Sequence, residues 1–90
     1  MSAKLYKTNG DIINVTPKEK YFSLVELSAF VNGHIEILSN ETTSIILNEK
    51  GKLKNLSFNE NATKICKEML FPSDYIAGDA IVCDSELLET

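Results

Sequence analysis

The chain has 90 residues, of which 43% are hydrophobic and 24% are charged, and its formal net charge is -4. This composition is typical of one small globular domain and excludes a disordered chain, because disorder goes with low hydrophobicity and high charge. All nine basic residues are lysines, and this acidic, arginine-free composition argues against general nucleic-acid binding.

The first third of the chain predicts a hairpin and then a helix. The runs Lys4 to Lys7 and Ile12 to Val15 are rich in strand-forming residues, and the Asn9-Gly10 pair between them suits a hairpin turn. Ser23 to Glu26 match the S-x-x-E capping box, which predicts the start of a helix. Its apolar stripe comprises Leu24, Leu27, Phe30 and Val31, and Asn32-Gly33 is a typical helix end.

The middle of the chain predicts two antiparallel strands. His34 to Leu38 alternates like a half-buried strand, so Ile35 and Ile37 are expected to face the core. Ser44 to Asn48 is its expected partner across the turn at residues 39–42.

The last third predicts a helix and a final strand. Asn59 or Asn61 caps a short helix that ends before Pro72, with apolar residues at helical spacing: Ala62, Ile65, Cys66 and Met69. Tyr75 to Cys83 is expected to be a strand in which Gly78 marks a bulge or a close backbone contact. Residues 85–90 either dock or fray.

The predicted order is therefore β-β-α-β-β-α-β. It indicates a single α+β domain over residues 1–90, with a mostly antiparallel sheet of about five strands and two short helices.

Several short motifs together resemble a known family. The stretches LVELSAFVNGHIEIL, IILNEKGKLKNLSFNENAT and DYIAGDAIVCD are similar to a small bacterial and phage domain, domain of unknown function 3846, over about residues 24–84. The resemblance implies phage or mobile-element cargo and brings no reaction with it; Ser57-Phe58 departs from a proline-containing step of the family. The matching positions are Gly33, Ile35, Glu36, Asn48, Glu49, Gly51, Lys52, Leu53, Leu56, Asn59, Ala62, Thr63, Asp74, Ile76, Gly78 and Asp79.

The alternating lysines Lys50, Lys52 and Lys54 are the clearest candidate site, because in a strand they would share one face, with Leu53 opposite. One interpretation is an anion site for a phosphate-bearing ligand, completed by Asn48 or Asn59. The other is a solvated edge strand whose lysines prevent aggregation, with both asparagines in structural roles at turns and helix starts.

The segment around these lysines also predicts its own turn. Gly51 is expected to supply the positive φ of a tight hairpin, after which Leu53 and Leu56 return to the core.

The sequence carries no recognisable catalytic constellation. His34 is the only histidine and has neither a nucleophile nor a metal set beside it, and Asp74, Asp79 and Asp84 lack the spacing of a calcium loop. Cys66 and Cys83 fit buried thiols better than a zinc site. We therefore expect no enzyme activity, no cofactor and no metal.

The function expected from the sequence is a non-catalytic accessory or binding module of phage or mobile-element type that acts by binding a protein partner. Self-association through an exposed strand edge or through Leu87-Leu88 is part of this expectation. The alternative is a protein that sequesters a phosphate-bearing small ligand such as a nucleotide signal. No stretch has the length of a membrane span and the first residues lack the core of a signal peptide, so we expect a cytoplasmic protein.

Overall fold

The computed structural model describes residues 3–88 and shows one five-stranded antiparallel sheet with a helix on each face. The strand order is β2-β1-β5-β4-β3. The predicted α+β class and the order β-β-α-β-β-α-β are confirmed. The elements are β1 (Ala3–Tyr6), β2 (Ile12–Asn14), α1 (Leu24–Val31), β3 (Ile35–Ser39), β4 (Thr43–Asn48), α2 (Glu60–Ile65) and β5 (Ala80–Asp84), with short 3-10 helices at Lys67–Met69 and Ser85–Leu87.

Helix α1 begins and ends where the sequence predicts. Ser23 Oγ accepts a hydrogen bond from the Glu26 amide at 3.1 Å, and the Ser23 amide donates to the Glu26 carboxylate at 2.9 Å. The helix stops at Asn32, which adopts φ 62°. Leu27 and Val31 are buried against the sheet, whereas Leu24 is exposed, so its predicted place in the apolar stripe is wrong.

The first core cluster lies between α1 and one face of the sheet. Its buried residues include Leu27 and Val31 of the helix and Ile46 and Ile81 of the central strands. Leu87 also packs there, and its carbonyl accepts a hydrogen bond from the Phe22 amide at 2.9 Å. Residues 85–88 of the predicted tail therefore dock, and Leu87 is not free to form an association surface; residues 89–90 lie outside the described part.

The second core cluster lies between α2 and the opposite face. Ala62 and Cys66 are buried there with Ile45 and Ile76. The helix is shorter than predicted because the chain leaves it at Cys66 and continues as a 3-10 turn. Ile65, the last residue of the helix, is exposed instead of buried.

The last strand is also shorter than predicted, since β5 starts at Ala80 and not at Tyr75. Gly78 adopts φ 89°, which is incompatible with a continuous strand. Its amide donates to the Ser57 carbonyl at 2.8 Å, and the Asn59 amide donates to the Ile76 carbonyl at 2.9 Å. Residues 76–78 thus pair with residues 57–59 and not with a strand of the sheet. The chain joins the sheet only from Ala80 onward, as β5.

Strand β3 forms one edge of the sheet. Ile35 is half-buried as predicted, but Ile37 is 45% exposed, because an edge strand has a neighbour on one side only. Ile37 pairs with Ile46 of β4 and therefore lies on the face that α1 covers further inward.

Candidate functional site

Residues 50–54, which carry the three lysines, form a single helical turn, here called the lysine turn. The predicted strand with three lysines on one face is therefore wrong. The Lys54 amide donates to the Lys50 carbonyl at 2.9 Å, as in an α-helix. The turn ends in a Schellman motif, in which Asn55 takes φ 54° and the Leu56 amide donates back to the Gly51 carbonyl at 2.9 Å. An asparagine directly after the lysines was the sequence signal for this ending.

The helical geometry separates the lysines that alternation would have brought together. Residues two apart on a helix differ by about 200° in direction, since each residue turns by about 100°. The Lys52 ammonium pairs with the Asp74 carboxylate and lies 4.6 Å from the ring centroid of Tyr75. The Lys54 ammonium lies on another side, 3.5 Å from where a Cβ on Gly33 would be. The three-lysine anion site is therefore not assembled.

Gly51 does not supply a positive φ, which differs from the prediction. It is required instead for close approach, because a Cβ at this position would lie 2.6 Å from the Ala77 carbonyl oxygen. The lysine turn is therefore pressed against the loop at residues 76–78. Leu53, at the outer side of the turn, is 84% exposed and does not return to the core, whereas Leu56 is half-buried.

Asn48 is buried at the end of β4 and caps the end of α1. Its Nδ2 donates to the Val31 carbonyl at 3.0 Å and to the Asn32 carbonyl at 3.4 Å. Its Oδ1 accepts from the Lys50 amide at 2.9 Å, which fixes the start of the lysine turn. Both ends of the amide are thus engaged in the fold.

Asn59 is fully buried and is the N-cap of α2, which decides between the predicted caps Asn59 and Asn61. Its Oδ1 accepts from the Ala62 amide at 3.1 Å, while its Nδ2 donates to the carbonyls of Tyr6 at 2.8 Å and Gly78 at 2.9 Å. The side chain therefore ties β1, α2 and the 76–78 loop together, and it offers no surface to a ligand.

A groove of about 470 Å³ lies between the lysine turn and the segment at residues 69–75, on the sheet face that carries α2. Leu38 and Leu47 of the sheet line it, together with Ala77. Of the predicted site residues, Asn48 and Lys52 line this groove. The complete lining is Glu36, Leu38, Leu47, Asn48, Glu49, Gly51, Lys52, Leu53, Met69, Leu70, Phe71, Asp74, Tyr75 and Ala77.

Large apolar side chains at this groove face water. Leu53 is 84% exposed, Phe71 is 83% exposed and Tyr75 is 40% exposed. Tyr75 is held in place by an edge-on contact with Phe58, whose ring centroid is 5.9 Å away. Phe71 also borders a second groove of about 280 Å³, so it forms a ridge between the two. Clustered exposure of this kind is a mark of an interaction site.

Sequence reasoning missed this surface. A signal for it exists in Met69-Leu70-Phe71, where apolar residues continue past the helical spacing up to Pro72. A helix with one apolar face does not need three such residues in a row, so at least one of them has to point away from the core.

The charges at the groove are predominantly acidic. Three carboxylates line it, those of Glu36, Glu49 and Asp74, against the one ammonium of Lys52, which gives a formal charge of -2. The hydrogen bond from Lys52 and a second one from the Tyr75 amide hold the pKa of Asp74 below its usual range. Asp74 is therefore ionised at neutral pH, and the groove repels phosphate more than it attracts it.

The remaining candidate groups offer little chemistry. Burial raises the pKa of the Cys66 thiol to about 12 and that of the Cys83 thiol to about 11, so both stay protonated at neutral pH. Between residues 3 and 88, no group of three or more His, Cys, Asp or Glu side chains could hold a metal ion. Over the same range, every helix is too short or too polar to cross a membrane.

Comparison with known protein families gives a match. A family model described as "Domain of unknown function (DUF3846)" covers residues 7–87, a wider range than the 24–84 expected from the motifs. It therefore includes the loop and strand that precede α1 as well as the docked 3-10 helix near the end. No curated protein and no solved structure matches the chain.

Proposed function

We propose that this protein, which belongs to the DUF3846 family, is a non-catalytic binding module whose groove takes up an apolar segment of a partner protein. The observation that carries the proposal is the exposure of Leu53 and Phe71, which both line one groove. We further propose that it is a cytoplasmic accessory protein of phage or mobile-element type; the phage or mobile-element setting is supported by the family resemblance alone.

The apolar side chains at the groove favour a protein segment as the ligand. Burying a side chain of the size of leucine or phenylalanine contributes roughly 1.5 to 3 kcal/mol, so Leu53 and Phe71 could anchor a partner together. They come from segments 18 positions apart in the sequence, yet both line the same groove. Leu24 and Val25 are also exposed, but they adjoin one another on α1 and line none of the grooves described here.

The acidic lining specifies the charge of the partner. Among the described residues, the carboxylates of Glu36 and Glu49 have no hydrogen-bond or ion-pair partner, whereas the carboxylate of Asp74 is paired with Lys52. A ligand that carries a lysine or arginine beside its apolar residues would neutralise these carboxylates. The occupant we propose is therefore an apolar segment of a protein with at least one basic residue.

The alternative, a phosphate-bearing small ligand, is less well supported. Of the three lysines on which it depended, only Lys52 lines the groove. Its ammonium already forms an ion pair with Asp74 and lies over the ring of Tyr75. Binding of a phosphate there would require breaking this pair within a lining of negative charge.

The proposal can be tested by selecting peptides from a random display library on the immobilised protein and measuring their affinity by calorimetry. We expect selected peptides to combine apolar residues with a basic one and to shift NMR signals of groove residues. Phe71→Ala should weaken binding by about tenfold or more, since truncation of an interface anchor costs more than about 1.4 kcal/mol. Val25→Ala is the matched control, because Val25 is 79% exposed but lies on α1.

Two results would count against this function. One is that selected peptides bind Phe71→Ala and Leu53→Ala as tightly as the unchanged protein. The other comes from a thermal-shift panel of nucleotides: a ligand at 100 times its dissociation constant stabilises by about 2.7 kcal/mol. A nucleotide that raises the melting temperature, and loses this effect in Lys52→Ala, would support the alternative.

A further inference from the structure

The outer edge of β3 carries unpaired backbone groups whose positions the flanking hydrogen bonds determine. The Glu49 amide donates to the His34 carbonyl at 2.9 Å, and the Asn40 amide donates to the Thr43 carbonyl at 2.9 Å. In an antiparallel ladder the bonds to one neighbour come from alternate residues. The backbone amides and carbonyls of residues 34, 36, 38 and 40 therefore point toward β4. Those of Ile35, Ile37 and Ser39 point outward, away from the sheet.

This edge has few of the devices that usually prevent strand pairing. It contains no proline and no lysine, and its sequence IEILS has Glu36 as the only charge. The side chain of Ile37, at the centre of the strand, lies on the same sheet face as α1 but beyond the area that α1 covers, and it is 45% exposed. The other edge, β2, is only three residues long.

We propose that two copies of this chain associate through β3, with the strands antiparallel about a twofold axis at Ile37, to form one continuous sheet. In this register Ile37 of each copy exchanges both of its outward hydrogen bonds with Ile37 of the other, and Ile35 does so with Ser39. Every outward amide and carbonyl of the strand then has a partner.

The side chains are self-complementary in the same register. Ile37 lies opposite Ile37 of the other copy, and the two form an apolar cross-strand pair. In the single chain this side chain is exposed to water. Glu36 lies opposite Leu38 and not opposite Glu36, so the one charge on the strand does not face its equivalent directly. A one-residue shift would turn the wrong backbone groups toward each other.

The charges beyond the two ends of β3 are also complementary. Glu41 follows the Ser39 end and is exposed, while the Lys54 ammonium lies beside Gly33 at the Ile35 end. Antiparallel pairing brings unlike ends together, so Glu41 of each copy approaches Lys54 of the other. This gives Lys54 a role that the three-lysine site did not.

The association would extend the groove described above. A twofold axis perpendicular to the sheet keeps both α2 faces on the same side. Glu36 and Leu38 line the groove in each copy, and they lie on β3 itself. The two grooves would therefore adjoin across the axis and offer a surface of twice the length, although the pairing does not depend on what the groove binds.

The test is the mass of the full-length chain by analytical ultracentrifugation, in a concentration series up to about 1 mM, where even weak pairs are populated. We expect the mass to rise from 10.0 kDa toward twice that value. Ile37→Lys should lower the association at least tenfold, because two ammonium groups would then be directly opposed. Ile12→Lys is the matched control on β2, since Ile12 is 50% exposed, and it should associate like the unchanged chain.

A charge exchange tests the register without touching the core. Glu41→Lys and Lys54→Glu should each weaken the association, and the double variant should restore it. A chain that stays monomeric at all concentrations would overturn the proposal, as would equal effects of Ile37→Lys and Ile12→Lys. Failure of the double variant to recover would overturn the proposed register, and circular dichroism of each variant checks that the fold is retained.

Discussion

Replacing Asn59 by alanine should destabilise the fold more than any other single asparagine substitution in the second half of the chain. The side chain is fully buried and joins three separate parts of the molecule through its amide. Truncation would leave the carbonyls of Tyr6 and Gly78 and the amide of Ala62 buried without these partners. If Asn59 were instead a ligand-binding residue, its loss would reduce binding and leave stability nearly unchanged.

The expected magnitude follows from these bonds. A buried hydrogen bond contributes about 0.5 to 1.5 kcal/mol net, and a buried group left unsatisfied costs about 1 to 3 kcal/mol. Three affected groups, one of which is the helix cap, give a loss of about 3 kcal/mol or more even at the lower end of this cost. A domain of this length is stable by roughly 5 to 14 kcal/mol, so the loss would be a large fraction of the total.

Urea denaturation followed by circular dichroism measures this loss directly. With a slope of about 1 kcal/mol per molar urea, the midpoint should fall by roughly 3 M or more. Asn61→Ala is the control, because its amide lies in α2 and makes only a long contact, 3.5 Å to the Gly10 carbonyl, so its effect should stay within about 0.5 kcal/mol. Asn59→Asp keeps the acceptor but loses both donors, and should also be destabilised. A loss below about 1 kcal/mol for Asn59→Ala would refute the reasoning.

Three further predictions concern single features. Gly51→Ala should cost about 1 to 3 kcal/mol in urea denaturation, because its Cβ would meet a backbone carbonyl at 2.6 Å; a neutral effect would show that this contact can relax. The pKa of Glu26 is lowered, first by the backbone amide of Ser23, so its contribution to stability is present above the unfolded pKa and is lost as the pH falls through the folded one. Glu26→Gln should therefore flatten the acid limb of the stability profile below about pH 4.5, whereas an unchanged limb would assign it to other carboxylates. Cys66 and Cys83 should not react with a thiol reagent in the native protein at neutral pH and should react once it is unfolded, and rapid native labelling would contradict their burial.

Local signals predicted most of the fold. The capping box at Ser23 and Glu26 fixed the start of α1, and the alternation in β3 gave the correct strand and the correct partner. What failed were boundaries that depend on contacts distant in sequence. The strand predicted from Tyr75 was cut short because residues 76–78 pair with residues 57–59, and no local pattern encodes that pairing.

The site was predicted less well. The spacing of the lysines and the composition of residues 50–54 are compatible with a strand and with a helical turn. Alternating lysines at residues 50–54 fit a strand, but Asn55 with its positive φ ends a helical turn there. The groove was missed because Leu53 and Phe71 line the same groove only after the sheet is formed. A hydrophobic residue that ends at the surface looks the same in a sequence as one that ends in the core.

The helical turn at residues 50–54 has one consequence that a strand would not have had. It directs Lys52 toward Asp74 in the groove and Lys54 toward Gly33 beside β3, so a single turn contributes a cation to each of the two surfaces proposed here. The two proposals can therefore be separated by neighbouring lysines. Lys52→Ala should change peptide binding and leave the mass unaltered, whereas Lys54→Glu should lower the mass at high concentration and leave the affinity of one groove for its peptide unaltered. If each substitution changed both measurements, the groove and the edge would have to be one surface, and the separation that follows from the helical geometry would be wrong.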